Sequence, residues 1–375
     1  MVNKMRTVLV TGSKGFIGKN LLEVLSRQKD IKVNGFDVDE DISVLKSALW
    51  QADIICHLAG VNRPGKEEEF TTGNTDSVKD IISLLEEMQR TPAIIFTSST
   101  QVSMNNPYGK SKKAAEDLLY GYGKKTGASV YIYRLTNVFG KWCRPNYNSV
   151  VATFCNNIAN SLDIYISDRT KEIELIYIDD VIGSILNIIK NCPEVAPGEY
   201  LSVNPSYKIN LGDLADRIYQ FRNMRQSLII PDMADNFTKC LYATYLSYLD
   251  QKDFSYDLKL KSDERGTLIE LIKSTHLGQI FISKTHGKAV RGNHYHSTKA
   301  EKFCVVQGEA LIRFRHILSN EIITYRVSGD DMKIVDIPPG YTHSIENLSD
   351  GEMIVLFWSD EILNLEKPDT YYEGV

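Results

Sequence analysis

The chain has 375 residues, 43% apolar and 24% charged, with a formal net charge of −5. That length holds two domains or one large one, and the composition excludes a disordered or fibrous chain. The acidic balance argues against a broad nucleic-acid surface, and no apolar run is long enough to cross a bilayer, so neither nucleic acid nor membrane is an expected partner.

The N-terminal residues run within a few positions into a short apolar strand, not a secretory signal. The six cysteines are scattered and lack CxxC spacing, which fits reduced thiols in the cytoplasm. Residues 7–10 read as a buried strand and 16–26 as a helix. Strand-like runs follow at 33–36, 53–58, 93–97 and 130–133, with helical patterns at 42–50, 76–88 and 110–122. Short apolar strands alternating with helices predict βαβ units and a Rossmann-type, doubly wound parallel α/β sheet. From about residue 265 the character changes. Gly-punctuated runs at 268–272, 279–283, 303–306, 310–314, 322–327, 333–337 and 353–358 predict an all-β sandwich or jelly roll. The boundary is expected near 245–255, giving domains 1–248 and 249–375.

Gly12, Gly15 and Gly18 follow the first strand and open the first helix. Glycines there permit a tight turn and let a pyrophosphate approach the free N–H groups of a helix start. The turn Gly12-Ser13-Lys14-Gly15-Phe16-Ile17-Gly18 is therefore a candidate nucleotide cradle. Asp37 ends the second strand, where a carboxylate can accept from a ribose and repel a 2′-phosphate. Followed by Asp39, Glu40 and Asp41, it reads equally as a loop acid. Tyr108 and Lys112 are four apart and share a helix face. A tyrosine with a pKa near 10 is a poor acid–base group at neutral pH, and a nearby ammonium lowers that value. Ser98, Ser99 and Thr100 follow a strand, where a hydroxyl can polarise a carbonyl.

His294 and His296 are two apart, so on a strand they point the same way. Glu301 follows a turn later, and His343 comes from a later strand or loop. Three imidazoles and a carboxylate suit a divalent metal, with zinc the first choice. Such a site, or a cationic one, polarises a ketone and stabilises the enolate formed when the neighbouring carbon loses its proton. His286, Lys288, His316 and Tyr341 are acid–base candidates by residue type alone.

Residues 6–245 resemble an extended short-chain dehydrogenase/reductase. The shared features are the TGxxGxxG turn, the acid after the second strand, the serine, Tyr-x-x-x-Lys, His57-Leu58-Ala59-Gly60, Arg134-x-x-Asn137 and Tyr177-Ile178-Asp179-Asp180-Val181. The resemblance implies a nucleotide-sugar substrate, with Ser99 as catalytic hydroxyl, Tyr108 as acid and Lys112 as its tuner. It sets Leu58, Ala59 and Gly60 against the cofactor and Asn137 near the substrate's pyrophosphate. Arg134 is either a substrate contact or a structural ion-pair residue. Residues 255–375 resemble the cupin family, through His294, His296, Glu301 and Gly308, then Pro338, Gly340, His343 and Asn347. Asp263-Glu264-Arg265-Gly266 also resembles the start of cupin-type deoxysugar epimerases, some of which use a histidine base without metal.

The whole chain resembles bifunctional capsular-polysaccharide enzymes that fuse these two parts. That implies C-3 epimerisation of a UDP-2-acetamido-2,6-dideoxy-4-hexulose. Reduction of the 4-ketone to UDP-2-acetamido-2,6-dideoxy-L-talose follows, toward N-acetyl-L-fucosamine. The resemblance implies NADPH, whereas Asp37 stands where a basic residue is expected, so NADPH and NADH both stay open, with Arg63 or a nearby lysine as the compensating charge. Cupins often pair through their sheets, so a homodimer is expected. The alternative is an NAD-recycling epimerase or dehydratase with a structural or ligand-sensing cupin.

Overall fold

A computed structural model describes residues 5–196 and 198–375. The chain divides into two compact units, one running to Ile218 with Cys240–Asp250, the other Tyr219–Lys239 with Gln251–Val375. Residues 228–230 belong to the second unit because Ile230 donates to the Lys273 carbonyl at 2.8 Å and Lys273 to that of Leu228 at 2.8 Å.

In the first unit, β1 (Arg6–Thr11), β2 (Ile31–Phe36), β3 (Ile54–His57), β4 (Ala93–Ser99) and β5 (Val130–Leu135) form a parallel sheet in the order β2-β1-β3-β4-β5. Val8, Leu9 and Val10 are fully buried. Such continuous apolar runs mark strands covered on both faces. The helices α1 (Phe16–Ser26), α2 (Ile42–Gln51), the single turn α3 (Glu68–Phe70), α4 (Ser77–Glu87), α5 (Pro107–Thr126), α6 (Val150–Ala159) and α7 (Ile178–Asn191) follow in chain order. One core joins the sheet to α1 and α7, the other to α2, α4 and α5. The chain leaves β1 for β2 on one side and returns to β3 on the other. This reversal opens a crevice at the carboxyl ends of the strands.

Helix α5 starts three residues earlier than the apolar period suggests. The Asn106 side chain caps the Gly109 N–H at 2.7 Å, and Pro107 takes the first position, where its missing N–H costs nothing. Tyr108 thereby lies in the first turn. Gly127, at φ 77°, closes the helix in the left-handed conformation. A small sheet of β6 (Asn137–Phe139), β7 (Glu172–Tyr177) and β8 (Ser206–Asn210) follows, with α8 (Leu211–Ser227) and α9 (Asn236–Leu246).

The second unit contains β9 (Leu260–Asp263), β10 (Gly266–Ser274), β11 (Gly278–Thr285), β12 (Val290–Tyr295), β13 (Glu301–Gln307) and β14 (Glu309–His316). It continues through β15 (Ile322–Ser328), β16 (Ile334–Ile337), β17 (Tyr341–Asn347), β18 (Met353–Ser359) and β19 (Tyr371–Tyr372). They make two antiparallel sheets, β16-β13-β18-β11-β10-β9 and β15-β14-β17-β12-β19. Phe303, Val305, Ile312, Phe314, Val355 and Phe357 fill the core. Every second residue of these strands points inward. Among the described residues, no helix is long and apolar enough to cross a membrane.

Candidate functional sites

At the end of β1 the chain turns at Gly12 with φ 68°, and a Cβ there would sit 2.6 Å from the Ala59 nitrogen. A Cβ on Gly18 would overlap the Gly12 carbonyl oxygen. Only glycine lets the turn, the start of α1 and the Leu58-Ala59-Gly60 segment approach this closely. Gly15 caps α1 without a side-chain hydrogen bond, which suits the amides of Phe16 and Ile17 to an anion. Asp37 accepts from the Lys14 N–H at 2.7 Å and the Val38 N–H at 2.9 Å. Lys14 Nζ pairs with Asp39 at 2.6 Å, and that hydrogen bond raises the lysine's pKa. Both side chains are exposed, so the pair is weak and Lys14 can exchange it for another anion.

His57 is buried, with Nδ1 2.7 Å from the Thr11 hydroxyl. Burial, aided by the Lys112 charge, pushes its pKa down to about 3, so the ring is neutral. Asn74 fixes the next turn through the Val61 N–H and C=O, both at 2.9 Å, and donates to Ser111 Oγ at 3.0 Å. It sits in the π-helical stretch Thr71–Asp76, an irregularity frequent at functional sites. Nothing in the sequence pattern singled it out. A Cβ on Gly60 would lie 2.8 Å from Asn74 Oδ1 and 3.0 Å from Lys112 Nζ, so the three form one packed layer.

Ser99 ends β4 and accepts from the Gln101 N–H at 3.2 Å. Burial raises the Tyr108 pKa, and hydrogen bonding with Ser99 partly offsets this. The ring of Tyr108 lies 5.8 Å from Phe70, on a cavity of about 250 Å³ lined also by Asn62, Gln101, Asn106, Pro107 and Asn148. Lys112 is buried beneath, donating to the Thr97 carbonyl at 3.0 Å and lying 4.7 Å over the Phe96 ring. Burial lowers its pKa to about 8, against the opposing charge of Glu116. Ser98 turns inward to Glu116 at 2.6 Å, leaving Ser99 beside Tyr108.

Of the two roles open to Arg134, the structure displays the ion pair. Its Nε and Nη2 donate to Glu116 at 3.0 and 2.7 Å, and its guanidinium stacks 3.3 Å from the Tyr200 ring centre. Asn137 is exposed and donates to the Glu174 carbonyl at 3.0 Å. Neither lines the Tyr108 cavity.

In the second unit, His294, His296, Glu301 and His343 present ligand atoms all within 4.8 Å of one another. A bulge between Gly292 and His294, with Asn293 at φ 60°, sets His294 opposite His343 while Arg291 faces Ile345. His296 Nε2 is 3.2 Å from Glu301 Oε2, and His343 Nε2 is 3.6 Å from the same oxygen. His343 Nε2 is buried without a hydrogen-bond partner, as expected of an atom with a lone pair to give. Burial pushes the His343 pKa down to about 4, with the neighbouring His294 adding to the effect, and burial also lowers His294. Burial works against ionised Glu301, but the close approach of His296, the other imidazoles and Lys299 hold its pKa low. Three imidazoles around a carboxylate are a donor set that fits zinc or a similar ion.

The acid–base candidates separate. His286 is exposed, and Lys288 is tied to Asp350 at 3.0 Å and to the Leu348 carbonyl. His316 and Tyr341 pair across β14 and β17 with rings 4.9 Å apart, and Tyr341 lies two residues from His343 on its strand. Asn347 donates to the carbonyls of Thr285, His286 and Gly351, which makes it a brace for the barrel.

Fold and sites together define a dinucleotide-binding α/β unit of the short-chain dehydrogenase type and an antiparallel cupin barrel that carries a clustered His/Glu set. The chain belongs to the NAD dependent epimerase/dehydratase family, which residues 8–204 match, and residues 261–371 match the polysaccharide biosynthesis C-terminal domain. It is 42% identical over 364 residues to the UDP-2-acetamido-2,6-beta-L-arabino-hexul-4-ose reductase of Pseudomonas aeruginosa, covering 97% of each chain. It is similar to the crystal structure of the capsular polysaccharide assembling protein CapF from Staphylococcus aureus, with TM-score 0.92 and 44% identity over 98% of this chain and 100% of that one. A UDP-glucuronic acid 4-epimerase from Bacillus cereus in complex with NAD shares the fold over 58% of this chain and 84% of its own, at TM-score 0.52 and 20% identity.

Proposed function

We propose that this chain is a cytoplasmic bifunctional UDP-sugar enzyme of capsule or O-antigen synthesis. The cupin barrel epimerises C-3 of a UDP-2-acetamido-2,6-dideoxy-4-hexulose, and the first unit reduces the 4-ketone with NADPH or NADH. The product is UDP-2-acetamido-2,6-dideoxy-L-talose, on the way to N-acetyl-L-fucosamine. The observation that carries this reading is the presence in one chain of the Ser99–Tyr108–Lys112 group and the His294–His296–Glu301–His343 cluster. Likeness to the Pseudomonas reductase and to CapF over nearly the whole chain supports the substrate class. The six free cysteines support the compartment.

The order of steps follows from the chemistry. A 4-ketone acidifies the proton on carbon 3, so inversion must precede reduction. A divalent ion held by the three histidines and Glu301 would polarise that ketone as a Lewis acid. His316 and Tyr341 are our candidates to remove the C-3 proton and return one to the other face. In the first unit, a nicotinamide held over the turn of residues 12–18 would supply hydride to carbon 4, and Tyr108 is placed to give its proton to the ketone oxygen. Ser99 hydrogen-bonds that oxygen, and Lys112 holds positive charge beneath the site.

The test is proton exchange in deuterated buffer with the UDP-4-keto-6-deoxy sugar. Deuterium is expected at carbon 3 without cofactor, then stoichiometric consumption of NADPH or NADH when either is added. Reduction with no prior uptake would reduce the barrel to a structural or ligand-sensing role, and turnover without net consumption would mean an NAD-recycling enzyme. Asp37 favours NADH, whereas Lys14 can leave Asp39 for a 2′-phosphate, and the same assay decides between them.

We extend the reading to a homodimer. Edge strand β15 exposes Ile322, Ile323 and Tyr325, an apolar run that unpaired edges otherwise avoid. Light scattering is expected to give twice the 42.4 kDa chain mass, and a monomeric mass would exclude the pairing.

A further inference from the structure

The end of the chain is fastened beside each of the three histidines. The main-chain oxygen of Asp369 accepts from His296 Nδ1. The Asp369 carboxylate accepts the N–H groups of Ser297, Thr298 and Lys299 at 2.9, 2.7 and 2.8 Å, and the Thr298 hydroxyl at 2.9 Å. Those residues make up most of the link between His296 and Glu301. Two residues further on, β19 pairs with β12 and sets Tyr372 opposite His294, while Glu373 donates to the Asn293 carbonyl at 3.0 Å. The Glu373 carbonyl accepts from the hydroxyl of Thr342, the neighbour of His343. Arg315 anchors the same segment through the Glu373 carboxylate at 2.7 Å and the Gly374 carbonyl at 2.8 Å.

Apolar packing does not account for this fastening. Tyr371 is 46% and Tyr372 89% exposed. Besides the stacking of Tyr371 on Tyr295 and the Arg315 anchor, the segment is held by hydrogen bonds that end on residues that carry, adjoin or connect the ligands.

We propose that residues 369–374 form a strap that orients the three imidazoles and retains the metal, with Asp369 as its positioning residue. The inference rests on the metal reading of the site. A carbonyl facing His296 Nδ1 requires the proton on that nitrogen, which leaves Nε2 with the lone pair that faces Glu301. Clamping 297–299 fixes the path from that ring to Glu301, and β19 fixes the bulged strand that aims His294. Without the strap each ligand keeps its place in the sequence but loses a fixed direction.

The test measures zinc affinity of the full-length protein by competition with a chromophoric chelator. Asp369→Ala, and a chain ending at Pro368, are expected to bind zinc about 10- to 100-fold more weakly. Asp369→Asn should regain part of the loss, since an amide oxygen can still accept. Leu365→Ala, exposed and outside the strap, should bind as the wild type does. Far-UV circular dichroism of the metal-free proteins checks folding. If the shortened chain fails to fold, the zinc dissociation rate of Asp369→Asn decides, with faster release expected and an unchanged rate overturning the proposal. Wild-type affinity in a folded Asp369→Ala protein would overturn the strap alone. Failure of the wild type to bind zinc would overturn the metal reading and the strap together.

Discussion

Tyr108→Phe is expected to lower ketone reduction by about 10²- to 10⁴-fold, the range for losing a positioned general acid, and to leave deuterium uptake at carbon 3 unchanged. The substitution removes one oxygen from the wall of the 250 Å³ cavity and keeps the ring against Phe70, so binding should be little affected. A fall in kcat with KM nearly constant is the corresponding kinetic pattern. The pH profile adds a second check. Burial raises the pKa of Tyr108, so the phenol keeps its proton through neutral pH. Burial lowers Lys112 to about 8, so kcat/KM of the wild type should fall as pH rises through about 8. The sign of the linked stability is opposite. Between about 8 and the ordinary lysine value of 10.5 the unfolded chain holds a proton that the folded one has released, so the Lys112 contribution favours folding as pH rises there. Alkaline loss of activity without loss of the folded signal would therefore report the site. Reduction by Tyr108→Phe within a few-fold of wild type would remove the tyrosine from the mechanism.

What the sequence disclosed follows from what its patterns encode. Runs such as residues 7–10 and 93–97 are legible because strands buried on both faces are nearly continuous in apolar residues. The runs of the barrel were legible by the other strand signature, the alternation of inward and outward residues seen in 303–306 and 353–358. Strands β12 and β17, which carry His294 and His343, two of the four clustered residues, were not. Val290–Tyr295 holds a bulge, a glycine and polar side chains, and Tyr341–Asn347 points histidine and asparagine inward. A strand built around a polar centre loses the alternation that identifies strands. The four residues that cluster were still singled out, because their spacing is a chemical signal independent of hydropathy. Contacts that depend on three-dimensional neighbours left no such trace. Asn74 at Val61 and Asp369 at His296 are examples, and so is the inward turn of Ser98 that distinguishes it from Ser99.

Arg134→Met is expected to destabilise the first unit by about 3–5 kcal/mol, because it leaves a buried carboxylate without its counter-charge. Glu116 is 0% exposed and holds three donors, Ser98 Oγ and two nitrogens of Arg134. After the substitution only the serine remains. The reverse change, Glu116→Gln, should cost less, since the Arg134 side chain is 28% exposed and can reach water. Replacing both partners by methionine should recover much of the loss, because no charge then stays buried. Urea unfolding of the wild type, Arg134→Met, Glu116→Met and the double methionine variant closes the cycle and gives the coupling. The cluster also ties α5, with Tyr108 and Lys112, to the end of β4, where Ser99 follows Ser98. Reduction should therefore fall in Arg134→Met even under conditions where the protein is still folded, with kcat affected more than KM. A substrate contact predicts the opposite, a raised KM at unchanged stability. That result would return Arg134 to the binding site and leave Glu116 without the partner argued here.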